Sequence, residues 1–192
     1  KEGGNNIPFA CLGVIPITST KGGGTDMPQT ASLLQGLGYC VAFVGDSDVP
    51  LDPSEEDLAK IGVKVLVWEG AKSIEERICL DLPFEGLDDF IAGAVKCVAE
   101  KDKSANSVYD SIGSELGMNS GDFQGDVQSL LDKGYSEDTI RSAIGEKAKE
   151  KGWYKRISFG ECLAQIVIQH LESMAGTDVV KQLSALKEWA NE

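Results

Sequence analysis

The chain carries one histidine, His170, in 192 residues, which excludes a histidine-rich metal site. That residue is expected on a C-terminal helix, packed or at the surface. No stretch approaches the roughly 18 apolar residues needed for a membrane span. The opening Lys1-Glu2-Gly3-Gly4-Asn5-Asn6 lacks the apolar run of a signal peptide. The five cysteines (Cys11, Cys40, Cys79, Cys97 and Cys162) are odd in number, widely spaced and set among apolar neighbours. That pattern suits small core residues in a reducing cytoplasm rather than a disulfide or zinc framework. There is no internal repeat and no low-complexity tract. Positive charge is scarce as well: 18 Lys and Arg against 31 Asp and Glu leave a net charge of −13. Nucleic-acid binders normally present a basic face, because phosphate neutralisation supplies much of the affinity. The balance therefore argues against a nucleic-acid partner, unless bound metal ions neutralise a carboxylate site or another domain supplies the grip.

What is present is an ordinary globular composition, 42% apolar and 26% charged, in a chain long enough to bury a core. Residues 39–44 are apolar without polar alternation, as in a strand buried on both faces, the kind found in parallel sheets. A strand is expected over 12–18, with Pro16 at an end, edge or bulge, and a third over 63–68. Between them lie a helix at about 27–37, with Leu33, Leu34 and Leu37 spaced to face the core, and a serine-capped acidic helix after Pro53. Ser73 caps another helix that ends before Pro83. This alternation predicts an α/β fold with a mostly parallel sheet flanked by helices. From 84 to 151 only helical patterns occur, which predicts an inserted all-helical subdomain. Residues 152–158 read as a loop or brief strand returning to the sheet. Ser158 then caps an apolar helix to about 174, and Thr177 or Asp178 starts a last one. The expected layout is an α/β part over 1–83, the helical subdomain over 84–151 and the α/β return over 152–192.

Gly45 lets the chain turn at the end of the 39–44 strand, and Asp46 and Asp48 follow. Side chains at i and i+2 of an extended segment point the same way, and two like charges that close call for a cation or a shared proton. Oxygen-rich groups of this kind suit Mg²⁺ or Mn²⁺, and ligands of open α/β sheets collect at the carboxyl ends of strands. Glu69 at the next strand end and Glu75 and Glu76 in the following helix are further candidate ligands, since neighbouring strands lie about 4.8 Å apart. Glu75 and Glu76 are equally well read as acids favoured by a helix N-terminus. Lys155, between aromatic residues and an arginine, is a candidate to offset phosphate charge or protonate a leaving oxygen. Its alternative is a surface lysine with its stem packed on Trp153 or Tyr154. Lys21 and the three glycines after it suit a plain turn better than a phosphate cradle, lacking the full phosphate-loop pattern.

Val44-Gly45-Asp46-Ser47-Asp48 resembles the Asp-x-Asp strand end of the Toprim domain found in topoisomerases, primases and certain nucleases. Taken with 13–17, Trp68-Glu69-Gly70-Ala71-Lys72-Ser73-Ile74-Glu75, the helical insertion and Trp153-Tyr154-Lys155-Arg156-Ile157, the chain resembles the C-terminal catalytic region of an OLD-family (overcoming lysogenization defect) nuclease. The match is to the class with a helical domain added to Toprim. The resemblance implies a Toprim-like sheet and a cytoplasmic DNA endonuclease and exonuclease using two Mg²⁺ or Mn²⁺ ions. It further implies Asp46, Asp48 and Glu75 as metal ligands and Lys155 as the catalytic lysine. An N-terminal ABC-type ATPase in the same protein is implied as a partner domain, and no membrane association. The family's first motif, a strand ending in Glu-Gly, is expected before residue 1; Glu2-Gly3 has no apolar strand before it. The usual glycine shortly after Asp-x-Asp is replaced by Val49-Pro50-Leu51. Competing readings are a Toprim primase or topoisomerase module, a receiver-like phosphoacceptor with Asp46 or Asp48 taking the phosphoryl group, and a non-catalytic interaction domain.

Overall fold

The structure, a computed structural model, describes residues 9–18, 24–101 and 104–192. The Lys21 turn and residues 1–8 lie outside this set. The chain divides into two compact units, residues 1–71 with 181–192, and residues 72–180.

In the first unit a 3₁₀ turn, Phe9–Leu12, precedes helix α1 (Asp26–Gly36), strand β1 (Ala42–Gly45), helix α2 (Glu55–Lys60) and strand β2 (Lys64–Val67). Ser54 caps α2 by accepting the Asp57 N–H at 3.2 Å, and three acids fill its first turn, where the helix dipole favours them. The strands pair in parallel, from Ala42 opposite Lys64 to Gly45 opposite Val67. A parallel pair needs a crossover connection, and α2 is that connection. Ala31, Phe43, Leu58 and Val63 form the core, with Met27, Val41, Leu51, Val65 and Val67 packed against it.

The second unit is helical. It holds α3 (Ile74–Asp81), α4 (Gly86–Ala99), α5 (Asn106–Glu115), α6 (Gln128–Asp132), α7 (Glu137–Lys151) and α8 (Ile157–Gln169). A last helix, α9 (Asp178–Trp189), begins in this unit, and its residues from 181 belong to the first. Ser136 caps α7 through the Thr139 N–H at 3.2 Å. Helix α3 packs on α7, and α4 on α8. A Cβ at Gly145 would lie 2.9 Å from the Glu76 Cα, so the α3–α7 approach requires glycine there. The buried Arg141 on α7 donates to the Cys79 and Leu82 carbonyls at 2.7 and 2.8 Å. It thereby satisfies carbonyls at the end of α3 that a helix leaves without intrahelical partners.

The expected α/β fold, a Toprim-like mostly parallel sheet, is not what the chain forms. Among the described residues the structure is 55% helix and 5% strand, with one two-stranded sheet. Residues 13–18 are irregular, with Gly13 at a positive φ of 75° and Pro16 unable to donate to a ladder. The strand after Tyr39 is not covered on both faces: Phe43 is buried while Val44 is 46% exposed. Helix α1 buries Pro28 and Ala31, leaving Leu33 and Leu37 65% and 67% exposed. Residues 152–156 form a turn and loop before α8, not a strand. Helix α8 begins after Arg156 rather than at Ser158. Of the cysteines, Cys79 and Cys97 are buried, Cys162 is half-buried, and Cys11 and Cys40 are exposed, so the core assignment holds for only some of them. Among the described residues no helix is long and apolar enough to cross a membrane.

Candidate functional site

Asp46 and Asp48 belong to the first unit, Glu75 and Lys155 to the second. Each pair is described within its own unit.

The β1–β2 register ends at Gly45 opposite Val67, so Asp46 and Trp68 are the next residues along two adjacent strands. The Trp68 indole Nε1–H donates to Asp46 Oδ1 at 3.2 Å. Trp68 is buried and Asp46 exposed, so a fixed ring holds a carboxylate that faces solvent. Asp48 follows in a bend and is half-buried. Glu69, past Trp68, is exposed and leads into a turn in which Gly70 and Ala71 both have positive φ, 83° and 54°.

In the second unit the two glutamates of α3 part ways. Glu76 completes a capping box with Ser73, accepting the Ser73 N–H at 3.0 Å while its own N–H donates to Ser73 Oγ at 3.4 Å. Its carboxylate also takes Lys72 Nζ at 3.3 Å and Lys149 Nζ of α7 at 3.1 Å. Burial alone would raise this carboxyl; the Ser73 backbone N–H and the Lys149 and Lys72 ammoniums outweigh burial and hold it down at about 2. Glu76 is therefore a structural hub. Glu75, one residue earlier, is 6% exposed. With burial as the leading cause, its charge contributes to raising the Cys79 thiol and the Tyr154 phenol. The Tyr154 hydroxyl donates to the Phe90 carbonyl, and the two rings lie 5.0 Å apart. Lys155 follows the buried Trp153 and Tyr154 and is exposed. Its stem runs over Gly152, with Cδ 3.0 Å from where a Gly152 Cβ would be.

The carboxylate oxygens of Asp46 and Asp48 are the hard donor type that Mg²⁺ or Mn²⁺ takes, and Mg²⁺ keeps several waters and needs only one or two carboxylates, but Asp48 Oδ1 is buried while Asp46 is exposed. Among the described residues no group of three or more His, Cys, Asp or Glu is placed to hold a metal ion. Among the described residues the two aspartates are thus too few to form a closed protein cage around a metal ion.

Three contacts of the described site were not read from the sequence: the Trp68–Asp46 bond, the Lys149–Glu76 ion pair, and the Lys101 Nζ bond to the Gly152 carbonyl at 3.1 Å. His170 caps the C-terminal end of α8 and pairs with Asp89 Oδ2 at 2.8 Å, away from any assigned role. The chain matches no protein-family model, no curated protein and no solved structure.

Proposed function

We propose that this chain is a divalent-metal-dependent DNA nuclease that hydrolyses phosphodiester bonds, and that it is the catalytic region of a larger ATPase–nuclease. The observation that supports the reading is the exposed Asp46 carboxylate, braced by Trp68 and two residues from Asp48, at the carboxyl end of a parallel strand pair. The reaction class and the ATPase partner come from the resemblance of the ordered motifs to those of OLD-family nucleases.

In this reading Asp46 and Asp48 bind Mg²⁺ or Mn²⁺. Those two residues would hold the ion, which when bound would supply Lewis acidity toward the phosphate and lower the pKa of a water. Trp68 fixes the Asp46 carboxylate so that little reorganisation accompanies binding. By the resemblance, Lys155 would be the residue that offsets phosphate charge or protonates a leaving oxygen. Glu75, a further ligand by the resemblance, is held in the first turn of a helix whose start is fixed by the Ser73–Glu76 box.

Nicking of supercoiled plasmid tests this. Activity is expected with Mn²⁺ or Mg²⁺, and is abolished by EDTA, by Asp46→Ala and by Lys155→Ala. Metal-independent cleavage, or wild-type cleavage by Asp46→Ala, overturns it.

A further inference from the structure

Basic residues are few in this protein, and they are not evenly spread. Residues 147–156 carry Lys147, Lys149, Lys151, Lys155 and Arg156 against the single acid Glu150. Some of these cations have structural partners. Lys147 and Lys151 pair with Glu150, at 2.6 and 2.7 Å, and Lys149 pairs with Glu76. Among the described residues neither Lys155 nor Arg156 has a carboxylate partner, and both are exposed.

The fold adds a cation from elsewhere in the second unit. Lys101, just past the end of α4, places its Nζ 4.9 Å from the centroid of the Phe159 ring, and the Arg156 Cζ lies 5.4 Å from the same centroid. Phe159 is 2% exposed, so one fixed ring gathers two cations by their attraction to its π face. Lys101 also bonds the carbonyl of Gly152, the left-handed cap of α7, and the stem of Lys155 lies over that same glycine. Arg156 is the N-cap residue of α8, whose first turn has no acid. A helix start is already electropositive, and anions rather than cations are favoured there. Three cations drawn to one turn beside a helix start repel one another, and an anion laid across them offsets that repulsion.

We infer that the turn between α7 and α8, with Lys101, Lys155 and Arg156, is the surface on which the phosphodiester backbone of duplex DNA lies. DNA as the partner rests on the nuclease reading. The surface also resolves the conflict between a net charge of −13 and a polyanionic substrate, because contact is made where the protein is locally basic. Backbone contact of this kind is independent of base sequence.

The test is fluorescence anisotropy of labelled duplexes of two unrelated sequences, titrated with the 192-residue chain in EDTA so that nothing is cleaved. The wild type is expected to bind both equally. The Lys155→Gln/Arg156→Gln double variant, which alters exposed side chains only, is expected to lose about tenfold or more in affinity. Its log–log salt slope is expected to fall by about 1.8, since each phosphate contact contributes about 0.9. Lys64→Gln/Lys187→Gln, removing the same charge from exposed positions in the first unit, is expected to leave both quantities unchanged. No binding by the wild type, no loss in the first variant, or equal loss in both overturns the inference. Binding with the expected pattern but no cleavage on adding Mn²⁺ retains the surface and overturns the nuclease reading instead.

Discussion

The Trp68 indole donates to the Asp46 carboxylate at 3.2 Å across the ends of two parallel strands. A buried ring thus fixes an exposed acid that sits 22 residues away in sequence. Groups that hydrogen-bond a metal ligand typically govern 10–100-fold in metal affinity. Trp68→Phe is therefore expected to weaken Mn²⁺ binding by about tenfold while the far-UV circular dichroism is retained. Unchanged Mn²⁺ affinity in the folded variant counts against the bracing role.

Glu76 links stability to acid. Its folded carboxyl lies at about 2 against an ordinary value of 4.5, so the unfolded chain binds the proton more readily. The stabilisation is complete above about pH 5 and is lost as pH falls from 4.5 toward 2. At a ceiling of about 3 kcal/mol, from 1.36 kcal/mol per pH unit, the effect is large for a domain. Glu76→Gln removes the titration, so the stability gap between wild type and variant in urea melts should be widest near pH 7, fall to about half by pH 3 and close only toward pH 2. A gap that is constant with pH excludes this linkage.

Two helix glycines should respond with opposite sign to alanine. At Gly145 the new methyl meets the Glu76 backbone at 2.9 Å, and overpacking of that kind costs about 1–3 kcal/mol, more than the gain of up to about 1 in helix propensity. Gly160 on α8 is exposed and has nothing within 4 Å of an added Cβ, so Gly160→Ala should stabilise by about 0.5–1 kcal/mol. Chemical denaturation of both variants decides it. A stabilising Gly145→Ala excludes the tight α3–α7 contact.

The thiols sort by burial. Cys11 and Cys40 are exposed, while burial first and the Cys162 neighbour second push the Cys97 thiol up to about 12; burial also raises Cys79. At pH 8, Ellman's reagent should titrate Cys11 and Cys40 fast and leave Cys79 and Cys97 unreacted until denaturant is added, since the thiolate is the reactive species. Four rapidly reacting thiols in the native protein contradict this packing.

These residues also show what the sequence made legible. Local chemistry was readable: Ser54 and Ser73 start helices where serine followed by acids indicated, because a cap and its N–H lie within three residues of each other, whereas α8 starts after Arg156 and not at Ser158. A strand ahead of Asp46 was readable from its apolar run, but it spans Ala42–Gly45 and has Val44 exposed rather than both faces covered. Which face of α1 is buried was not. Leu33 and Leu37 have the right period, yet Pro28 and Ala31 make the contact with the core containing Phe43. Nor was the extent of the sheet: apolar content at 12–18 indicated a strand, but Pro16 and the positive φ of Gly13 accompany irregular chain. Pairings that depend on distant residues leave no periodic trace. Lys149 reaches Glu76 over 73 positions and Lys101 reaches Gly152 over 51, and only the folded chain brings them together.

In the nuclease reading proposed above, Asp46 and Asp48 hold the divalent ion used in cleavage. Isothermal titration of Mn²⁺ into the wild type and into Asp46→Asn/Asp48→Asn, a nearly isosteric pair of changes, tests it most directly. The account predicts saturable binding in the wild type and its loss in a variant that keeps the wild-type circular dichroism and melting temperature within a few degrees. Equal Mn²⁺ binding by the two proteins contradicts it.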